Sequence, residues 1–426
     1  MKKRAFLVFL ALILRPWCDS AIGYPLDATA ETGIARLEAY ELAKTVLLER
    51  GTLKPGSLLT SDQVQLRLRD TGFTMPEPDP ALTGKIRDMV GPDAPGYGVS
   101  VLDITDPAHP HLAEINPERS QNPGSVGKLM VALAWFQALA DVYPDDVDAR
   151  KRILFETQIT ANDFIIKDSH LVPVYKPGDP KVVRRPIEIG DTANLWTWFD
   201  WMCSASSNAA GSQLISELVL LKKFGEDYPV SPEATAAFFT KTPQEELTKI
   251  LLDALETPLT RNGLDVRRLR QGSFFTREGK RLIPGTTSLA TSSSLLRYLA
   301  LMEQGKLVDP FSSLEIKKLI YLTDGRIRYA ASSALDGSAV YFKSGSLYSC
   351  KPEPGYQCGK YMGNRWNYLN SATIVETHDP NQPMHYIVVV LSNVLKKNSA
   401  EEHEDLATAI HQLIEQLHPP KGEPSR

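Results

Sequence analysis

The order of the predicted strands and helices constrains the fold of this chain more than any other feature of its sequence. Residues 97–104 and 111–115 have strand character and flank the turn residues Asp106-Pro107, which predicts a β-hairpin. Strand character returns near the other end of the chain, in residues 338–347, 372–376 and 386–392. Strands first and last, with helices between them, predict that the two ends of the chain share one antiparallel sheet.

Helical patterns dominate the middle of the chain, from about residue 145 to residue 330. Apolar residues recur there at helical spacing in four segments, 192–203, 208–224, 244–255 and 291–304. Residues 400–417 predict a further, amphipathic helix. We therefore expect an α/β fold of the α+β class, in which helices flank the antiparallel sheet and an all-α lobe is inserted between its two halves.

The N-terminus has the charge and apolar pattern of a secretory signal peptide. Residues 2–4 are three consecutive cations, residues 5–14 are an unbroken apolar run, and the small residues Ala21 and Gly23 follow. Ten apolar residues are too few to span a bilayer, which takes about 20. We expect cleavage after Gly23, export of the chain, and no stable membrane span after cleavage.

The charge balance and the histidines exclude several classes of protein. The chain has 47 basic and 51 acidic residues, so no basic face for nucleic acid or a membrane surface is expected. The closest histidines, His109 and His111, have no carboxylate or cysteine cluster beside them, and a metal site is not predicted. Because no phosphate-binding loop or dinucleotide glycine motif is present, no cofactor is expected either.

Three cysteines lie outside the predicted signal peptide. Cys350 and Cys358 are close in sequence, and in an oxidising compartment they could close a short disulfide loop. Cys203, beside Trp201 and Met202, has no histidine nearby in sequence. We expect Cys203 to be a buried apolar thiol and not a nucleophile.

A serine and a lysine have the spacing that nucleophilic catalysis requires, in Ser125-Val126-Gly127-Lys128. Ser125 follows the break Pro123-Gly124 and begins a predicted helix that continues to about Leu139. Residues three apart share one face of a helix, so the amine of Lys128 can reach the Ser125 hydroxyl and accept its proton if its pKa is lowered. This quartet is common, and alone it is more simply explained as a solvated helix face.

Two further motifs follow in the chain. Ser206-Ser207-Asn208 lies in a break between two predicted helices, where a hydroxyl can relay a proton and a carboxamide can hold a substrate amide. A helix N-cap is the simpler explanation of this motif taken singly. Lys343-Ser344-Gly345 ends an apolar strand, where it can bind a substrate carboxylate, or form a strand-terminal turn.

The three motifs together, in this order, resemble the active-site signature of class A β-lactamases and penicillin-binding proteins. The resemblance covers about residues 80–418. It implies that Ser125 is the nucleophile, Lys128 the base for acylation and Ser206 the proton relay. It assigns substrate binding to five residues, namely Asn208, Lys343, Ser344, Gly345 and Ser346. The amides of Ser125 and Ser346 would form the oxyanion hole.

The resemblance implies a bacterial periplasmic or secreted hydrolase that forms an acyl-enzyme at Ser125 on a β-lactam amide. The alternatives are a D-alanyl-D-alanine peptidase acting on peptidoglycan peptides, and a non-hydrolytic β-lactam or muropeptide binder. Class A β-lactamases carry a glutamate that activates the deacylating water, but residues 268–275 contain no carboxylate. Asp265 and Glu278 only flank this stretch, so slow or atypical deacylation is expected.

These expectations divide the chain into four parts. Residues 1–23 are the signal peptide, and residues 24–78 are an accessory N-terminal extension. Residues 79–420 are the catalytic domain, which includes the α-rich lobe, and residues 421–426 are a tail.

Overall fold

A five-stranded antiparallel sheet, built from both ends of the chain, is the centre of the fold. The computed structural model describes residues 22–44 and 55–420. The strands are β1 (Tyr97–Asp103), β2 (His111–Ile115), β3 (Ser338–Ser349), β4 (Trp366–Thr377) and β5 (His385–Asn393). They lie in the order β3-β4-β5-β1-β2, so the two ends of the chain pair between β5 and β1. The predicted α+β class is confirmed. The predicted signal peptide up to residue 21 and the tail 421–426 lie outside the described residues.

Helices surround this sheet and form the inserted lobe. Within the described residues they are α1 (Thr29–Thr32), α2 (Ala35–Lys44), α3 (Pro80–Val90), α4 (Lys128–Val142), α5 (Val147–Glu156), α6 (Leu195–Cys203), α7 (Asn208–Phe224), α8 (Pro232–Lys241), α9 (Gln244–Arg261), α10 (Arg277–Leu282), α11 (Ser292–Glu303), α12 (Pro310–Leu319) and α13 (Ser399–Leu417). Four two-stranded ladders accompany them, formed by Ile22–Gly23 with Leu322–Asp324, Gln158–Thr160 with Thr192–Asn194, Val172–Val174 with Val183–Arg185, and Leu269–Arg270 with Leu289–Ala290.

Different parts of the chain cover the two faces of the sheet, because side chains alternate along a strand. In β5, Ile387 and Val389 belong to the larger hydrophobic core, which includes the helical lobe. The intervening Val388 and Val390 belong to a second core with the apolar face of α13. The sheet is therefore buried between the lobe and α13.

Helix α4 lies inside the larger core. The segment Gly124–Val142 is the one stretch of the described chain that is long and apolar enough to cross a membrane. However, 78% of its most apolar window is buried inside the protein, as in the core helix of a globular domain. Lys128, the first residue of α4, is consequently buried within the core.

The segment 24–78, predicted as an accessory extension, contacts the helical lobe where it is described. Tyr24 and Leu68 are buried in the larger core. Arg36 forms a buried ion pair with Asp200 of α6, in which Nε lies 2.5 Å from a carboxylate oxygen.

Two predicted boundaries differ from the structure for physical reasons. The helix predicted from residue 192 begins at Leu195, because residues 192–194 pair as a strand and the Asn194 side chain caps the helix. The strand predicted from residue 372 begins at Trp366, because the polar Asn367 and Asn370 are buried and their side chains donate hydrogen bonds to backbone carbonyls.

Candidate active site

Ser125 lies where the chain enters the buried helix α4. It belongs to the 3-10 turn Gly124–Gly127, which runs directly into α4 and includes a left-handed φ of 53° at Gly124. This turn packs against β3 so closely that a Cβ atom on Gly345 would lie 2.4 Å from the amide nitrogen of Ser125. Glycine at position 345 is therefore required for the strand to approach the turn.

The same packing brings the amide of Ser346 to the cleft around Ser125. The Ser346 nitrogen lies 3.2 Å from the place that a Cβ atom on Gly124 would occupy. Ser125 is in the first turn of its helix, where amide groups have no carbonyl partner within the helix. The two amides proposed as an oxyanion hole thus belong to the turn Gly124–Gly127 and to β3, which pack directly against each other.

The amine of Lys128 contacts three oxygen atoms. Its Nζ lies 2.7 Å from Ser125 Oγ, 2.7 Å from the carbonyl oxygen of Ser206 and 2.9 Å from Asn208 Oδ1. The carbonyl and the carboxamide oxygen can only accept hydrogen bonds. A neutral amine has two N–H groups for these acceptors and one lone pair left for the Ser125 hydroxyl.

The surroundings of Lys128 favour that neutral form. Burial of the amine and, next, the charge of Lys343 lower the pKa of Lys128 well below its usual value. The carboxylate of Asp168 acts in the opposite direction. The centre of the Phe275 ring lies 4.7 Å from Nζ, so an apolar group packs against the amine.

The turn before α7 separates the two serines of the Ser206-Ser207-Asn208 motif. Ser207 is the N-cap of α7, because its Oγ accepts a hydrogen bond from the amide of Ala210 at 3.1 Å. Ser206 has a left-handed φ of 58°, and its Oγ lies 2.8 Å from Lys343 Nζ. The cap explanation therefore holds for Ser207, while the Ser206 hydroxyl faces the cleft.

Asp168 holds this turn, and sequence reasoning missed it. Its Oδ2 accepts hydrogen bonds from Ser207 Oγ and from the amide of Ala209, both at 2.9 Å. Although burial opposes ionisation, the hydrogen bond from His170 and these further contacts hold the pKa of Asp168 well below its usual range. Asp168 lies 39 residues before Ser207, so no local pattern in the sequence predicts their contact.

Lys343 on β3 is the second lysine of the site. Besides Ser206 Oγ, its amine lies 3.2 Å from the carbonyl oxygen of Ser344. Burial, with a contribution from the Arg328 guanidinium, lowers the pKa of Lys343 to about 7. The pKa values of both lysines of the site are therefore lowered by burial.

Arg328 also borders the cleft and was not predicted. Its guanidinium donates to Ser344 Oγ at 2.6 Å, to Ser346 Oγ at 3.2 Å and to the hydroxyl of Tyr361 at 2.9 Å. No carboxylate within residues 22–44 or 55–420 pairs with it. Arg328 sits in a turn before β3 with a left-handed φ of 53°, so only the folded chain brings it to the Lys343-Ser344-Gly345 motif.

Gln271 and Phe275 occupy the side of the cleft where a deacylating carboxylate was sought. Gln271 is buried, and its Oε1 would lie 2.0 Å from a Cβ atom on Gly127, so its carboxamide packs directly on the turn that carries Ser125. Its Nε2 donates to the carbonyl oxygen of Ser273 at 2.5 Å. The group next to the predicted nucleophile is thus a carboxamide, which cannot act as a base.

The two flanking carboxylates lie elsewhere. Asp265 is paired with the exposed Arg267 at 2.9 Å, and Glu278 is paired with the exposed Arg281. Neither borders the two cavities described next.

Two cavities meet at Ser125, Asn208 and Ser346. One, of about 380 Å³, extends toward Gln271 and Phe275. The other, of about 700 Å³, extends along β3 past Lys343, Arg328 and Tyr361. Ser206 lines only the larger cavity. Ser125, the predicted nucleophile, therefore lies at the junction of the two cavities.

Two of the cysteines form a disulfide beside this site, and the third, Cys203, lines the larger cavity. Cys350 and Cys358 are joined by a disulfide just after β3. Cys203 is buried at the end of α6 and unpaired, and burial raises its pKa to about 12, which suits the expected inert thiol.

One group of described residues has the donor set of a metal site, but it lies away from the cleft. Glu303, Glu376 and His385 offer ligand atoms close to one another. The Lys317 amine contacts both carboxylates, at 2.6 Å from Glu303 Oε1, and already supplies a positive charge there.

Comparisons with known proteins identify the fold. No protein-family model and no curated protein sequence matches this chain. Among solved structures, the β-lactamase from Sphaerobacter thermophilus aligns with a TM-score of 0.50 at 15% identity, covering 79% of this chain and 98% of that one. A structure of PBP-A aligns at 0.49 and 13%, covering 80% and 100%. A class A β-lactamase from Bacteroides cellulosilyticus aligns at 0.47 and 15%, covering 79% and 98%. At this identity the likeness establishes the fold alone.

Proposed function

On the premise that this chain has the β-lactamase and penicillin-binding protein fold, we propose that it is a serine hydrolase that forms an acyl-enzyme at Ser125 on a β-lactam amide and releases it slowly. The observation that carries the proposal is the 2.7 Å contact between Ser125 Oγ and the buried amine of Lys128. With the expected signal peptide, the protein would work in the periplasm or outside a bacterial cell.

Acylation would begin with attack of Ser125 Oγ on the carbonyl carbon, while the hydroxyl proton passes to Lys128 Nζ. The amides of Ser125 and Ser346 would stabilise the oxyanion. As the C–N bond breaks, the Ser206 hydroxyl would give its proton to the leaving nitrogen. The ammonium of Lys343, 2.8 Å from Ser206 Oγ, could replace that proton.

Substrate binding would use both cavities. The substrate carboxylate would lie in the larger cavity, because Ser344 and the cations Lys343 and Arg328 line it. This side is then the leaving-group side, since Ser206 lines it as well. The acyl side chain would lie toward Gln271, with Asn208 as a hydrogen-bond partner for its amide.

Slow release of the acyl group follows from the carboxamide of Gln271. Hydrolysis of an ester at neutral pH needs a base for the attacking water, and a carboxamide cannot accept that proton. If the acyl group were not released at all, the protein would be the non-hydrolytic β-lactam or muropeptide binder named among the alternatives above.

A second candidate substrate is a peptide ending in D-alanyl-D-alanine, processed by the same acyl-enzyme chemistry. The observation in its favour is that β3 lies at the edge of the five-stranded sheet. Its residues Lys343–Ser349 pair with β4 on one side, and no strand of this sheet lies on the other. An extended peptide can add to such an edge through backbone hydrogen bonds.

The test is to incubate the purified protein with benzylpenicillin and follow its intact mass and the free drug with time. We expect wild type to gain the mass of one penicillin and to lose it slowly, and S125A to gain nothing. Rapid loss of the adduct with drug hydrolysis would contradict slow release. No adduct and no hydrolysis with any of several β-lactams, by a folded protein, would refute the proposal.

A further inference from the structure

The guanidinium of Arg328 is held in the larger cavity by hydroxyl groups. It donates to Ser344 Oγ at 2.6 Å, to Ser346 Oγ at 3.2 Å and to Tyr361 Oη at 2.9 Å. These contacts use three of its five N–H groups, so the same guanidinium keeps donors for an incoming carboxylate. The described residues that line the cavity include no aspartate or glutamate. Neutral groups therefore set the position of this cation.

Tyr361 is the one of these three partners that lies outside β3. Ser344 and Ser346 lie on one face of the strand, because side chains two residues apart point the same way. Tyr361 belongs to residues 350–365, which connect β3 to β4. Besides accepting the hydrogen bond, it places the centre of its ring 4.9 Å from Arg328 Cζ, within the range of a cation–π contact. Tyr361 thus contacts the guanidinium with both its hydroxyl and its ring.

The length of the Arg328 side chain makes such contacts important for binding. An arginine side chain has many rotamers, and fixing one of them costs conformational entropy. A guanidinium that already occupies its bound position has met this cost before the carboxylate arrives, which raises affinity. Arg328 lies in the short turn Arg328–Ala331, so its place in the cavity depends on the groups that it contacts.

Tyr361 is itself fixed in place. It is only 9% exposed, and its backbone has a left-handed φ of 60°. Its carbonyl oxygen accepts hydrogen bonds from the amide of Ser399 at 3.1 Å and from the Ser399 hydroxyl at 3.3 Å, at the start of α13. Its ring packs edge-on against Tyr348 of β3, with the ring centres 5.9 Å apart. Tyr361 is therefore anchored to α13 and to β3.

A disulfide and a pair of hydrogen bonds close the segment that carries Tyr361. The disulfide joins Cys350 to Cys358. The side chain of Asn364 accepts a hydrogen bond from the Lys351 amide at 2.8 Å and donates one to the Lys351 carbonyl oxygen at 2.9 Å. The two ends of the segment are thus joined, which restricts movement of Tyr361 away from Arg328.

We propose that Tyr361 is a positioning residue for substrate recognition. By holding Arg328, it preorganises the guanidinium to bind a carboxylate on the leaving portion of the substrate. Tyr361 thereby sets how strongly the protein prefers a leaving group with a carboxylate over a neutral one. This inference rests on the proposed acyl-enzyme chemistry at Ser125, to which it adds a residue from outside the three sequence motifs.

Two thioesters of phenylacetic acid measure this preference. Their leaving thiols are thioglycolate, which carries a carboxylate, and mercaptoethanol, which is neutral. Release of thiol gives kcat/KM for each ester, and each value is divided by the rate constant for hydrolysis of that ester by hydroxide. A hydrogen bond to a charged group contributes about tenfold or more, so we expect wild type to prefer the thioglycolate ester at least about tenfold.

Tyr361→Phe removes the hydroxyl and keeps the ring. The preference should fall about fivefold, because kcat/KM should fall for the thioglycolate ester alone. Tyr356→Phe is the matched control, because Tyr356 lies in the same segment and its hydroxyl donates to the carbonyl oxygen of Met362, away from the larger cavity. It should keep the wild-type preference.

A double-mutant cycle tests whether Tyr361 acts through Arg328. The preference should be reduced in R328Q, and adding Y361F should reduce it no further, because the group that Tyr361 holds is already gone. An equal effect of Y361F with and without Arg328 would overturn the inference.

Three other results would overturn the inference and leave the acyl-enzyme chemistry intact. They are an unchanged preference in folded Y361F, an equal loss of activity toward both esters in Y361F, and equal rates for the two esters in wild type. If neither ester gives a mass adduct that depends on Ser125, with S125A as the reference, the proposed function fails and this inference fails with it.

Discussion

Replacing Gln271 with glutamate should convert slow acyl-enzyme release into turnover. The substitution changes one atom of a side chain that packs on the turn of Ser125 and puts a carboxylate where the carboxamide now lies. A positioned general base typically contributes about 10²–10⁴ in rate, or roughly 3–5 kcal/mol of barrier. We therefore expect the rate of adduct loss after benzylpenicillin treatment to rise at least about a hundredfold.

The surroundings of Gln271 set the conditions for this gain. The side chain is only 4% exposed, so burial would raise the pKa of a glutamate there, and release should speed up as pH rises through that pKa. The new carboxylate would also face the carbonyl oxygen of Ser273, which now accepts a hydrogen bond from Nε2. Losing that bond should cost about 1–3 kcal/mol in a urea unfolding experiment.

Intact-mass kinetics after removal of free drug measure the release rate directly. Q271A is the control, because it opens the same space without supplying a base, and it should leave the adduct as persistent as in wild type. If Q271E acylates normally, unfolds cooperatively and still holds its adduct as long as wild type, then Gln271 does not occupy the position of the missing base.

Two further predictions concern acylation. The acylation rate should depend on pH along a bell-shaped curve. It should rise as Lys128, whose pKa is lowered, loses its proton, and fall as Lys343 loses its proton near pH 7. Stopped-flow acylation from pH 5 to 9 measures this curve, and a rate independent of pH would contradict the role of both amines. G345A should slow acylation and lower the free energy of unfolding by about 1–3 kcal/mol, because the added Cβ would lie 2.4 Å from the amide nitrogen of Ser125. An acylation rate and a urea unfolding midpoint equal to those of wild type would show that β3 can move away from the turn at no cost.

Local patterns predicted the parts of the site that are close in sequence. The spacing of Ser125 and Lys128 on one helix is enough to bring their side chains together, and the structure does so at 2.7 Å. The break before α7 and the strand β3 were likewise visible from apolar periodicity, although β3 continues past the predicted end at Leu347 to Ser349, so that Lys343-Ser344-Gly345 lies within the strand. Their contact, between Ser206 and Lys343, spans 137 residues and was expected only through the family resemblance.

Residues that act through tertiary contacts left no such trace. Asp168 and Arg328 lie in irregular segments, and their partners are set by how those segments cross the motifs. The sequence showed only that the stretch around Gln271 contains no carboxylate. It could not show that Gln271 packs on the Ser125 turn, because that contact depends on the path of a loop without apolar periodicity. The polar start of β4 was missed for a similar reason, since its asparagines donate hydrogen bonds to backbone carbonyls of Gly345 in β3 and of Val394 just after β5.

The pairing of β5 with β1 has a consequence for how the protein comes to be active. Ser125 and Lys128 leave the ribosome long before β3, which supplies Lys343 and the Ser346 amide, and β5 is needed to join β3 and β4 to β1. Such long-range strand pairing makes for a high contact order and slow folding. A growing or truncated chain that lacks β5 would hold Ser125 and Lys128 without the sheet that completes the proposed site. Catalytic competence should therefore arrive late, together with the final folding step.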